Sequence, residues 1–364
     1  MDSTGSAFDI ASPKREYTVI NTNGFKNWFR KLGYPDRPPR RNPTGLAAMS
    51  GSDSSKLGQI KEISRTGFFL QTTERWPIGE TVSLSLQKEG AEVNDSELKI
   101  NVPVRVASHR ENGIGMAFVL PEGMSTGLWE HVVDTADTPA ESKDTQFIFR
   151  MVRAMLFLYR LCPSRAVEPI LLLTGELDEA RTAGMLQIAM IAEEMVADEP
   201  DAEQLRADPD IVAGILKNGS WQHEELTHRL WAGLLTSSCS KDGNDLSNQD
   251  LVELLVEVTV SQARILVEAC RRASAQATGN GGIATQRIII TAAEMVGVTG
   301  MYDLYRNATD VAYLHGNGLV VRNFDFSSHS TVADFDVTPT QLGMRVFKAC
   351  RGYLLESQTV LYSL

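Results

Sequence analysis

The hydrophobic period changes once along this chain, and the change divides it in two. Between residues 44 and 120 apolar and polar side chains alternate: Thr81–Gln87 sets Val82, Leu84 and Leu86 against Ser83 and Ser85. Lys99–Ala107 does the same with Ile100, Val102, Val104 and Val106. A period of two marks strands with one buried face. Shorter apolar runs lie at 57–63, 68–72 and 114–119. Turn-forming clusters separate them: Ser50–Asp53, Trp76–Gly79, Asn94–Asp95 and Glu111–Gly113. Five or six short strands with little helix between them predict a small antiparallel barrel. A short helix near Thr126–Asp134 is expected to plug its end.

From Gln146 onward the period is helical. It predicts helices over 146–161, 164–173, 176–197, 208–218, 221–238, 248–257, 260–276, 284–296, 301–315 and 339–355. The fold class expected is therefore α+β multidomain, a barrel followed by an all-α region. A basic arm spans 1–34, the barrel 35–134, a polar Pro-containing linker 135–145 and the helical domain 146–364.

With 43% apolar and 22% charged residues, the 364-residue chain is neither disordered nor fibrous. Its longest unbroken apolar stretch, Ala154–Tyr159, is too short to cross a bilayer. The first 20 residues lack the apolar core of a secretory signal, so a cytoplasmic location is expected. Four cysteines (162, 239, 270, 350) without a CxxC suit neither a disulfide scaffold nor a zinc knuckle. They read as reduced, mostly buried thiols. Charge is uneven: residues 1–60 carry +4, while the whole chain carries −11. An acidic body argues against a wide nucleic-acid footprint, whereas a few arginines suffice for one small anion.

Arg37, Arg40 and Arg41 stand just before the first strand, on a Pro-rich segment. Guanidinium forks suit phosphate oxygens and the O6/N7 edge of guanine. About 20 residues on comes Glu62-Ile63-Ser64-Arg65-Thr66-Gly67, between two strands. A carboxylate can accept from the donor edge of guanine, and a small Ser and Gly let a ligand approach the backbone.

The two motifs, with Gln59–Leu70, Val102–Val106 and Asn112–Phe118 around them, resemble a PilZ domain over about residues 35–133. That resemblance implies binding of cyclic diguanylate, a bacterial second messenger. Arg37 and Arg41 match the family's arginine pair, and Ser64 and Gly67 match two positions of its D/N-x-S-x-x-G motif. Glu62 replaces the Asp or Asn, keeping the charge with one methylene more reach.

The helical half holds no Walker motif and no GxSxG elbow. His223 and His228 lie five apart rather than four, which points to exposed helix residues and not to zinc ligands. The Gly279–Gly282 run follows no strand and reads as a connection. Acids between Glu193 and Asp210 read as a solvated helix end and loop. Arg150, Arg153 and Arg160 share one arc of an otherwise apolar helix. Burial with those arginines wet or paired is favoured over lying on a membrane surface. Thr338-Pro339-Thr340-Gln341 reads as a capping box with Thr338 as N-cap.

Residues 301–337 read as helix, strand, hairpin tip and strand, a winged-helix-like end. Residues 284–351 balance six Lys/Arg against six Asp/Glu, so protein contact is favoured over DNA. His228–Leu235, Leu251–Leu266, Leu314–Leu319 and Val337–Cys350 resemble the Abi-alpha abortive-infection family over about residues 180–350. That family is linked to phage defence, and it implies no catalytic residues.

The expectation is a non-catalytic effector without metal or cofactor. Cyclic diguanylate would be held by Arg37, Arg40, Arg41, Glu62, Ser64 and Gly67, and would rearrange arm, barrel and helices to act on a protein partner. The alternative is a ligand-free scaffold in a defence or regulatory protein. The sequence leaves a homodimer open.

Overall fold

A computed structural model describes residues 45–50, 55–64, 66–90, 98–119, 132, 138–140, 142–162, 179–197, 199, 201–277, 287–321 and 334–352. The arginines at 37, 40 and 41, the plugging helix, the helix at 164–173 and the Gly279–Gly282 connection lie outside the described residues.

Six antiparallel strands close into a barrel: β1 (Leu46–Ser50), β2 (Lys56–Ser64), β3 (Gly67–Gln71), β4 (Thr81–Lys88), β5 (Lys99–Arg110) and β6 (Gly113–Phe118). Their order around the wall is β1-β2-β3-β6-β5-β4. The predicted alternation supplies the core: Leu84, Leu86, Ile100, Val102, Val104 and Val106 point inward with Ile60, Ile63, Phe68, Leu70, Ile114 and Met116. Closure leaves no unpaired sheet edge in the barrel.

Helix α1 (Lys143–Leu161) packs against β5 and against α2 (Glu179–Val196). Phe149, Met151, Val152, Ala154, Met155, Phe157, Leu158, Tyr159 and Leu161 are all buried, so the helix is apolar nearly all round and lies inside the protein. Buried side chains run without a break from the barrel through α1 into the helical half. Two of the three arginines of the arc are paired: Arg150 Nε donates to Glu194 at 2.8 Å and Arg153 Nε to Glu193 at 3.0 Å, whereas Arg160 lies over the Phe157 ring. Those two acids, read from sequence as solvated, are half-buried ion-pair partners instead.

The helical half continues with α3 (Pro209–Gly219), α4 (Glu225–Ser237), α5 (Gln249–Val256) and α6 (Val260–Ala277), and a two-residue ladder joins Arg206–Ala207 to Cys239–Ser240. Asp208 caps α3 by accepting from Asp210 N and Ile211 N. His228 is buried on α4 rather than exposed, its Nε2 2.8 Å from the Gln222 carbonyl. It shares the core-facing stripe of Trp231 and Leu235, three and seven residues on.

The winged-helix-like end is present in outline. Strand β7 (Ile289–Thr291) leads through a Thr291/Glu294 capping box into α7 (Ala292–Thr299). Gly300, at φ +74°, turns the chain toward α8 (Leu304–Gly316), capped by Asp303. Strand β8 (Asp334–Asp336) pairs antiparallel with β7. Val321 N donates to the Thr338 carbonyl at 2.8 Å, beside an isolated bridge between Val320 and Pro339. Two expectations are corrected. The segment 289–291 is strand rather than helix, with Ile288 and Ile290 buried and Ile289 exposed, an alternation too short to be told from a helical run in sequence. The last helix, α9 (Gln341–Cys350), is capped by Thr340, which accepts from Gly343 N at 3.0 Å, and not by Thr338. Thr338 instead accepts from Ile288 N at 2.8 Å.

Candidate functional site

Two β-bulges and a run of small residues shape the outer wall of the barrel. On β2 the register with β3 shifts between Ile60 and Glu62. The extra residue lets Ile60 and Ile63 both enter the core and turns Glu62 outward opposite Phe69. On β5 the register with β6 shifts between Val106 and Ser108, and Ser108 stands opposite Gly115. Glu62, Phe69, Gly115 and Ser108 therefore form one row across four strands. The next row is Ser64, Gly67, Ala117 and Arg105.

The β6 positions of both rows are bare, and so is Gly67 in the second. β6 reads Gly-Ile-Gly-Met-Ala-Phe, with Ile114 and Met116 buried and small residues at 113, 115 and 117. The outcome is a trough of about 210 Å³, lined on one side by Glu62, Ser64 and Thr66, floored by Gly67, Gly115 and Ala117, and bounded by Phe69, Ser108 and Arg110. Arg110 places its guanidinium carbon 5.0 Å from the centroid of the Phe69 ring.

Glu62, Ser64 and Gly67 thus share one concave surface, as the motif predicts. Two of them also have work within the barrel. The Ser64 hydroxyl donates to the Gly67 carbonyl at 3.0 Å, closing the hairpin between β2 and β3. A Cβ on Gly67 would lie 2.0 Å from the Met116 carbonyl oxygen, so β3 and β6 could not pair with any larger residue there. Sequence reasoning missed Phe69, Ser108, Arg110, Gly115 and Ala117. The small-residue alternation at 113–117 is a visible signal for the floor; Ser108 and Arg110 become neighbours of Glu62 only through strand register.

The strongly shifted titrating groups lie away from the trough. Burial pushes the Cys162, Cys239, Cys270 and Cys350 thiols up to about 12, and all four are unbridged and buried. Such thiols are core side chains rather than nucleophiles. Burial also holds the His228 imidazole below its usual range. Among the described residues no group of three His, Cys, Asp or Glu could hold a metal, and no helix is long and apolar enough to cross a membrane.

Fold and trough together define a two-part class: a six-stranded closed barrel with a shallow recess on its outer wall, joined to a helical module. Comparison with known families gives the parts their names. Residues 37–131 match the PilZ domain, and residues 185–330 match the family described as Abortive infection alpha. No curated protein and no solved structure matches the chain.

Proposed function

We propose that the trough is half of a cyclic diguanylate site and that the N-terminal arginines supply the other half. The observation that carries this reading is the convergence of Glu62, Ser64 and Gly67 on one recess of a barrel whose sequence matches the PilZ domain. Glu62 would accept from the donor edge of a guanine, and the bare floor would admit the ligand against the backbone. Register supports the arm's part in it. Ala47 pairs with Gln59 on antiparallel strands, so the start of β1 lies at the Ile60–Glu62 end of β2. Arg37, Arg40 and Arg41 precede β1 by only a few residues. Their guanidinium groups would take the phosphates and the O6/N7 edge.

On this reading the protein is a non-catalytic effector of the cytoplasm. Ligand binding joins arm to barrel, and the helical half carries the consequence to a protein partner. The ligand acts only through its different affinity for the joined and unjoined arrangements. Calorimetric titration of the full chain with cyclic diguanylate tests it against Arg37→Ala/Arg41→Ala. The parent should bind, and the double variant should bind at least about a hundredfold more weakly, since each fork-type contact contributes about 1.5–3 kcal/mol. Equal binding by the double variant removes the arm from the site.

A second reading rests on the match of residues 185–330 to Abortive infection alpha and on two tyrosines, Tyr302 and Tyr305, that are 87% and 84% exposed at the start of α8. Exposed tyrosines are common anchors of protein interfaces. The barrel would then be a scaffold in a defence or regulatory protein, its glycines kept for packing alone. A parent chain that binds no cyclic dinucleotide in a thermal-shift panel, where a native-state ligand raises stability by mass action, decides for this second reading.

A further inference from the structure

The trough has a wall that neither sequence motif predicts, and three independent features build it. The second bulge, at Ala107, turns Ser108 outward on the side opposite Glu62. Beside Ser108 the floor carries no side chain beyond a methyl, because Gly115 and Ala117 occupy the outward positions of β6, and Phe69 on β3 stands between that floor and Glu62. A Cβ at Gly115 would come within 2.5 Å of the Ser108 hydroxyl, so the floor cannot be raised without disturbing that wall. Beyond Ser108, Arg110 lines the same recess, with its guanidinium 5.0 Å from the centroid of the Phe69 ring.

Arg110 is one of several described arginines that no carboxylate closes on, and it lines the trough. Among the described residues its guanidinium makes no ion pair, and its one close partner is an aromatic face. A guanidinium is a flat cation with two faces and an edge of N–H donors. The Arg110 guanidinium lies within cation–π distance of Phe69 and lines the recess.

We infer that Arg110, seated on Phe69, is a ligand-contacting residue of this site. Its guanidinium stacks on the purine base whose donor edge Glu62 accepts from, so that the base lies over the Gly115–Ala117 floor between the two bulged strands. This rests on the reading of the trough as a purine dinucleotide site, and it adds to that reading a selectivity element on β5. Glu62 fixes which edge of the base faces it, because guanine offers two N–H donors there. Arg110 fixes the plane in which the base must lie. The stacked cation gains more from the electron-rich face of a purine than a lone ammonium does, so Lys is not equivalent at this position.

The test is titration of the full chain with cyclic diguanylate and, separately, cyclic diadenylate, using the parent, Arg110→Ala and Arg110→Lys. Thermal melts of the unliganded proteins accompany it. Arg110→Ala should weaken cyclic diguanylate about tenfold and leave the unliganded melt unchanged, because the side chain is exposed. Arg110→Lys should recover only part of the loss. Arg110→Ala binding as tightly as the parent overturns the inference and leaves the site assignment standing. Arg110→Lys binding as tightly as the parent overturns the stacking role. A parent that binds neither dinucleotide, or that prefers the adenine compound, overturns the inference together with the reading beneath it.

Discussion

Arginine is used differently in the two halves of this molecule. In the helical half several arginines close on carboxylates: Arg150 on Glu194, Arg153 on Glu193, Arg272 on Glu268 and Glu294, Arg345 on Asp250. All of these but Arg272–Glu268 tie elements distant in sequence, while Arg181 and Arg351 lie over the rings of Trp221 and Phe347. At the rim of the barrel Arg110 lies over Phe69 and lines the trough. A paired arginine is a structural part; an arginine parked on a ring beside a bare floor is available to something that arrives. What sets Arg110 apart from the ring-facing arginines of the helical half is that it lines the trough.

The largest effect should come from the floor itself. Gly67→Val must displace the β6 backbone, since even a Cβ would meet the Met116 carbonyl at 2.0 Å. It should cost more than about 4 kcal/mol and remove the cooperative transition of the barrel in chemical denaturation. A well-folded Gly67→Val protein that merely failed to bind ligand would show that this glycine serves the ligand alone. Next comes Arg153→Ala, which strands Glu193 in a pair whose side chains are only 10% and 16% exposed. Breaking such a pair should cost about 2 kcal/mol. By contrast, Arg345→Ala, in a pair 46% and 59% exposed, should cost at most about 1 kcal/mol. Equal losses for the two would erase the distinction between internal and surface pairs.

A smaller effect is expected from pH. Burial lowers the proton affinity of the native His228 imidazole. The unfolded chain takes up that proton near pH 6.5, so it binds more protons than the folded one below that pH, and stability falls as the pH drops through it. The difference in denaturation midpoint between pH 7.5 and 5.5 should shrink in His228→Gln. An unchanged difference would place the acid sensitivity elsewhere. The smallest effect, and the sharpest for the comparison, is Arg110→Ala on stability: within about 0.5 kcal/mol of the parent, as for surface substitutions generally. A loss the size of the Arg153 one would put Arg110 among the structural arginines after all.

How much of this could be read from the chain alone depended on whether a residue's partner was near in sequence. Five of the barrel strands were legible, two from alternation and three as short apolar runs between turns. Leu46–Ser50 was not singled out, because Leu46, Ala47, Ala48 and Met49 are buried on both faces and show no alternation. Glu62, Ser64 and Gly67 were found because they lie within six residues. Arg110 is 48 positions from Glu62 and reaches it only through the β2-β3-β6-β5 order. His228 was misjudged because two histidines were weighed against each other instead of against Trp231 and Leu235, whose spacing marks the core face. Glu193 and Glu194 were misjudged for a similar reason: their partners sit about 40 residues upstream on α1, where no local pattern announces them.

Helix α1 has one further consequence. A rod coated with Phe149, Phe157, Leu158 and Tyr159, and clamped by Arg150 and Arg153, has no greased side on which to spin. Rotation about its own axis would expose oil and snap both clamps at once. Any message passing from the barrel wall to the helices must therefore travel as a tilt or a slide of the whole rod, the way a tiller moves a rudder.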